Sequence, residues 1–176
     1  YAERLFAFPE IGPLSAAAAV RAITKPIDAE GAAITPGAVE RILTDTRCYP
    51  YFLQEWGQRS GEAAVGSPID NEDVERATTT AVAALDESFF RVRFDRLTPQ
   101  EKRYLRAMAE LGPGPHRSGV ISECLKREVS ALGSVRSSLI VKGMIWSPSH
   151  GDTAFTVPLF DEFMRRIMPG EDWRAQ

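Results

Sequence analysis

The chain has 176 residues, 44% of them hydrophobic and 26% charged, with a net charge of −3 and a pI near 5.5. These totals permit one large domain or two small ones with real cores, and they exclude a globally basic nucleic-acid binder. No run of about eighteen consecutive apolar residues occurs, which excludes a membrane-spanning helix.

Cys48 and Cys124 are the two cysteines. They lie far apart with no metal-ligand spacing, so no zinc site or disulfide framework is expected, and the expected compartment is a reducing cytoplasm. The chain opens at Tyr1 in mid-stride, and residues 1–12 are ambiguous: Arg4-Leu5-Phe6-Ala7-Phe8 has the pattern of a short strand, with no second strand evident nearby. A lone strand needs a sheet, so the expectation is a piece cut from a longer protein.

In chain order, Ser15 caps an alanine-rich helix expected to end near Ile23, before Lys25-Pro26. Thr35-Pro36 opens a second helix with Val39, Ile42 and Leu43 at helical spacing. Pro50 starts a third, with Phe52, Leu53 and Trp56 on one face. Asp70 caps a long fourth, whose apolar stripe is expected to run Val74, Ala77, Ala81, Leu85, Phe89. The acidic residues Asp70, Glu72, Asp73 and Glu75 complement that helix's N-terminal dipole, so they need no functional account. Four short helices between Pro/Gly turns make a small bundle.

Charge then shifts. Residues 1–94 hold nine basic and fourteen acidic residues, and residues 95–176 hold twelve and ten. The joint falls at Asp95-Arg96-Leu97-Thr98-Pro99, where Thr98 and Glu101 form a capping box with Pro99 at the first helical position. A helix is expected over 99–111, ending at Gly112-Pro113-Gly114-Pro115. A short one follows at 117–126, and a third, capped by Ser130, spans 131–142. Met144–Pro148 and Thr153–Val157 then read as a hairpin turning at Gly151. A last helix over 159–168 carries Phe160, Phe163, Met164 and Ile167. Three helices followed by a hairpin is the order of a winged helix-turn-helix. The expected fold is mainly α: a helical bundle over 1–94, a winged-helix domain with a short β-hairpin over 95–170, and a tail over 171–176.

Several segments resemble the C-terminal part of AAA+ ATPases, in the branch of bacterial and archaeal ATP-binding proteins allied to replication initiators and to STAND signalling ATPases. Ile11-Gly12-Pro13-Leu14-Ser15-Ala16 resembles the passage from the last core strand into the helical lid, which makes residues 1–12 the tail end of an ATPase core. Tyr49-Pro50-Tyr51-Phe52-Leu53-Gln54 resembles the start of the third lid helix, and Glu87 through Phe94 the lead into the winged helix. The resemblance implies a lid closing over ATP or ADP bound on the core, with Tyr49, Pro50 and Tyr51 nearest the nucleotide. ATP or ADP would then be held only through that core, which would be the chain's first partner, and the parent protein would be an ATPase. Arg47-Cys48 stands where this branch usually has glycine, and Tyr51 and Gln54 stand near the place of a phosphate-sensing arginine.

The sequence has no G-x-x-x-x-G-K-[ST]. Proline stiffening stops Gly112-Pro113-Gly114-Pro115 from presenting a row of amides to phosphate. No catalytic residues are expected. His116 and His150 are lone loop histidines without further metal ligands at coordinating spacing, and Cys124 reads as core rather than nucleophile.

On the third helix of the second half, Leu132, Val135 and Leu139 form the expected buried stripe. Gly133, Ser134, Ser137 and Ser138 face outward. If this face reads duplex DNA, the contacts fall to Arg117, Lys126, Arg127, Ser130, Ser134, Arg136 and Ser137. Phosphate neutralisation requires several cations, and here they sit at the margins, with Lys142, while the wing tip carries His150 and Asp152. A protein-facing module therefore competes with a DNA reader. Three readings follow: the regulatory lid and winged helix of an AAA+/STAND-like protein, a stand-alone DNA-binding regulator with a dimerisation bundle, or a protein-interaction module. None involves a membrane.

Overall fold

The computed structural model describes residues 12–174. The expected strand at Arg4–Phe8 lies outside the described residues. The chain divides into two compact units between Ala81 and Val82. Division by packing thus falls earlier than the charge joint at residue 95.

The first unit contains α1 (Ala16–Ala29), α2 (Pro36–Thr46), α3 (Pro50–Ala63) and the first part of α4 (Asn71–Leu85). Ser15 and Thr35 cap α1 and α2 by accepting from the amides of Ala18 and Ala38, each at 3.3 Å. Lys25-Pro26 predicts an end to α1 near Ile23, but the helix runs on through Pro26 to Ala29. Proline removes one intrahelical donor, yet the turn after it closes through the Glu30 amide on the Pro26 carbonyl at 3.2 Å.

Asp70 caps α4 with one carboxylate oxygen, which accepts from Glu72 and Asp73 at 2.9 and 3.1 Å. The Asp70 amide in turn donates to the Asp73 carboxylate at 3.0 Å. Ala19, Ile42, Phe52, Leu53, Trp56, Val74 and Ala77 are buried, and the Trp56 indole donates to Thr78 at 3.1 Å. A parallel bridge joins Ile34 to Ile69, tying together the chain segments that lead into α2 and α4.

The second unit opens with the end of α4 and a π-helical turn, Asp86–Phe90, followed by α5 (Arg91–Phe94). The expected stripe placed Phe89 in the core. The π turn adds one residue to the repeat, so Phe90 is buried and Phe89 only half-buried. Phe90 stacks on Phe163 at 5.3 Å and meets Phe160 edge-on at 5.6 Å. Phe94 lies against Phe163 at 5.8 Å. These contacts explain why the end of α4 groups with the second unit.

After them come α6 (Pro99–Glu110), β1 (His116–Arg117), α7 (Ser118–Leu125), α8 (Val129–Val141), β2 (Ile145–Trp146), β3 (Asp152–Phe155) and α9 (Phe160–Ile167), with a 3-10 turn at Asp172–Arg174. The capping box is formed: Thr98 and Glu101 exchange bonds at 2.7 and 3.3 Å. The three strands make an antiparallel sheet in the order β1-β3-β2, with His116 opposite Thr153 and Ile145 opposite Phe155. The hairpin is as expected, with Gly151 at φ 81°, but β1 adds a third strand where a loop at His116 was expected. Helix α8 starts at Val129, capped by the Glu128 backbone without a side-chain bond. Ser130 therefore lies inside the first turn and is not the cap.

Candidate functional site

In the first unit the expected nucleotide-proximal residues sit at the start of α3. Arg47 and Cys48 both occupy the left-handed region, at φ 51° and 55°, the conformation that costs any residue with a Cβ about 1–2 kcal/mol and that glycine adopts freely. The Cys48 carbonyl accepts the Leu14 amide at 3.0 Å. That bond joins the segment preceding α1 to the turn preceding α3, two stretches 34 positions apart. Tyr49 occupies the N-cap position of α3 without a side-chain bond to its first turn. Its ring lies 4.7 Å from that of Phe52. Tyr51 is 44% exposed, and Pro50 is exposed as well. The helix N-terminus with its uncapped amides is a place where negative charge is favoured.

In the second unit Ser130, Ser134 and Ser137 are exposed on α8, and Lys126 and Arg127 are exposed in the turn before it. Arg117, 70% exposed at its side chain, pairs with Asp152 of the hairpin at 3.1 Å. Arg136 does not face outward with the serines. It turns to the hairpin, donating to the Thr153 hydroxyl at 3.0 Å, the Ser147 hydroxyl at 2.9 Å and the Asp152 carbonyl at 3.0 Å.

Ser138 and Lys142 also turn inward. Both donate to Glu101 at 2.7 Å, and Lys142 reaches the Arg96 carbonyl at 3.1 Å. Burial by itself would raise the Glu101 carboxyl; the bonds from Lys142, Ser138 and Thr98 outweigh it and hold the group at about 2. Three residues of the expected outer face or its margin, Arg136, Ser138 and Lys142, thus bond within the unit. Helical spacing placed them on a surface, but it carries no information on which neighbour their polar ends reach.

Cys124 is half-buried rather than in the core; burial raises its thiol, and its sulfur lies 3.9 Å from the Ala107 carbonyl. His116 bonds the Gly112 carbonyl at 3.0 Å. Among the described residues no three His, Cys, Asp or Glu side chains cluster closely enough to hold a metal ion. No helix among them is long and apolar enough to cross a membrane.

Residues 87–164 match the model of a family described as a domain of unknown function, DUF8462. No curated protein matches the chain. Among solved structures, the chain is similar to a point mutant of Thermotoga maritima RuvB, at 15% identity and a TM-score of 0.42, over 82% of this chain and 47% of that one. It is also similar to the T. maritima RuvB Holliday junction branch migration motor, at 16% identity and a TM-score of 0.40, over 92% and 51%. The chain spans about half the length of those structures.

Proposed function

We propose that the first unit is the lid of an AAA+/STAND-like ATP-binding protein. The second unit would be a winged helix that passes the state of the lid to a partner. The observation that carries this reading is the geometry at Cys48. The Leu14–Cys48 bond brings together the two segments whose sequences resemble the lid's beginning and its third helix. Arg47 and Cys48 take the left-handed backbone at the positions where that branch usually has glycine. Tyr49, Pro50 and Tyr51 would then approach ATP or ADP held by a core domain, with the α3 N-terminus favouring the phosphates. The chain contributes closure and no catalytic group.

For the second unit a protein partner is favoured over duplex DNA. Arg136 and Lys142 are committed to internal bonds, which leaves fewer cations for phosphate neutralisation. Near them Val141 is 87% exposed and Trp146 46% exposed. DNA contact by Arg117, Lys126, Arg127 and the α8 serines is the alternative reading.

The coding sequence upstream of Tyr1 tests the first proposal. A glycine-rich phosphate loop with its lysine is expected there, and a gene lacking any nucleotide-binding domain would overturn the lid reading. Fluorescence anisotropy with random duplex DNA across a salt series decides the second. Binding that falls steeply with salt would establish phosphate contact, and none at low salt leaves the protein partner.

A further inference from the structure

In the second unit a hollow of about 100 Å³ opens between α6, the α7–α8 turn and the C-terminal 3-10 turn. Leu132, Val135 and Trp173 give it an apolar lining, and Arg103, Arg127 and Arg174 are its charged residues, with no carboxylate among those that line it. Trp173 is a fixed wall. It is 6% exposed, its indole donates to the Gly170 carbonyl at 2.9 Å, and the guanidiniums of Arg106 and Arg174 lie 5.0 and 4.9 Å from its ring.

A second hollow of about 320 Å³, more open to solvent, shares Arg103 and Trp173 and adds Lys102, with Asp172 as its one acid. Among the described residues, Arg103 and Arg127 have no side-chain hydrogen bond or ion pair. Arg174 has carboxylates only at 3.7 and 3.8 Å. Among the described residues, the linings of the two hollows thus carry four cations and one acid, with Glu110 and Glu171 beside Arg174, Glu123 and Glu128 lining the next hollow beyond Arg127, and Lys102 packed over the Phe94 ring.

Its other feature is size. The hollow is roughly two-thirds the volume of the 150 Å³ cavities that accept a benzene ring, so it suits one aliphatic side chain. A nucleic-acid backbone has cations to meet here but nothing to fill an apolar recess.

We propose that this face docks an acidic peptide segment that inserts one aliphatic side chain against Leu132, Val135 and Trp173 and sets carboxylates against Arg103 and Arg127. The pairing is bidentate in kind, since the planar guanidinium fork matches a carboxylate. The proposal is independent of the lid reading.

The test uses the whole chain and a fluorescein-labelled peptide of glutamates and aspartates flanking a single leucine, followed by anisotropy at low salt. The leucine peptide is expected to bind about tenfold more tightly than its Leu→Ser counterpart, and Arg103→Glu with Arg127→Glu to weaken it by about tenfold or more. Arg21→Glu, exposed on α1 of the first unit, should leave binding unchanged. The Trp173 indole resonance should shift on titration. If the double variant does not fold, Arg127→Gln at the exposed turn gives the same reading with a smaller loss. Absence of binding, or equal binding of the serine peptide, overturns the proposal. So does indifference to the Arg127 substitution. Labelled duplex DNA that displaces the peptide and binds more tightly would overturn it in favour of a nucleic-acid face.

Discussion

Lys142, the C-cap of α8, donates to Glu101, the third residue of α6, at 2.7 Å. The Glu101 side chain is 4% exposed and Lys142 33%. The pair joins the two helices through the same carboxylate that closes the capping box with Thr98. Glu101 is held at about 2 against an ordinary 4.5. A carboxyl lowered on folding contributes stability that is complete above the unfolded value and is lost as pH falls from about 4.5 toward 2. The shift corresponds to on the order of 3 kcal/mol at its upper end. Urea midpoints at pH 7 and near pH 3 should differ by less for Glu101→Gln than for the unaltered protein. Equal differences would show that the carboxylate is not held by these bonds.

Phe90 and Phe89 separate the two helical repeats. Phe90 is 1% exposed and contacts Phe160 and Phe163, while Phe89 meets Arg93 at 3.7 Å on the half-buried side. Phe90→Ala should cost about 3–5 kcal/mol and Phe89→Ala well under half of that. Denaturant melts of the two variants measure the contrast directly. Similar losses would mean that the π turn is not kept in solution.

The same pair shows where the sequence could be read and where it could not. Residues at regular 3.6-residue spacing, such as Phe52, Leu53 and Trp56, or Phe160, Phe163 and Met164, declared the buried face of their helices. So did the Thr98–Glu101 box, because capping is a local interaction. The π turn escaped because it breaks the repeat without a proline or glycine to mark it. Strand β1 escaped because two residues carry no alternation. The inward turns of Arg136, Ser138 and Lys142 depend on neighbours far away in sequence. Of the candidate site, Tyr49–Tyr51 lie together because they are contiguous; the Leu14–Cys48 bond beside them had no local signal.

Cys48 holds a left-handed backbone at φ 55° with only a long sulfur contact to the Leu43 carbonyl at 4.0 Å. A β-branched side chain tolerates this conformation worst. Cys48→Val should therefore destabilise by about 1–2 kcal/mol, whereas Cys48→Gly should be neutral or stabilising, since the relief of strain offsets the greater freedom of the unfolded chain. Thermal midpoints of the two variants check this. A glycine variant as unstable as the valine variant would mean that the turn does not hold this conformation.

Ser60 lies on α3 with its hydroxyl buried and, among the described residues, without a hydrogen-bond partner. Leaving such a group unpaired costs about 1–3 kcal/mol. Removing it by Ser60→Ala also favours the helix slightly, so a gain of about 1 kcal/mol is expected from urea unfolding. A loss instead would place an unseen partner on the hydroxyl.

Arg136 provides the sharpest contrast between a structural and a DNA-reading role. Its guanidinium joins α8 to Thr153, Ser147 and Asp152 of the hairpin, and Thr153 is fully buried. An arginine that read bases or phosphates would be removable with little effect on stability, because it would be solvated in the free protein. Here Arg136→Ala strips the hairpin of three donated bonds and leaves the buried Thr153 hydroxyl without one of its donors. The expected cost is about 1–3 kcal/mol, concentrated in the hairpin. Amide hydrogen exchange should then quicken at Ile145, Trp146 and Ala154 while the α3 amides of the first unit keep their protection. Arg136→Lys should restore little, because one ammonium cannot reproduce the planar fork. Unchanged exchange at the hairpin, together with a loss of DNA binding, would return Arg136 to the nucleic-acid face.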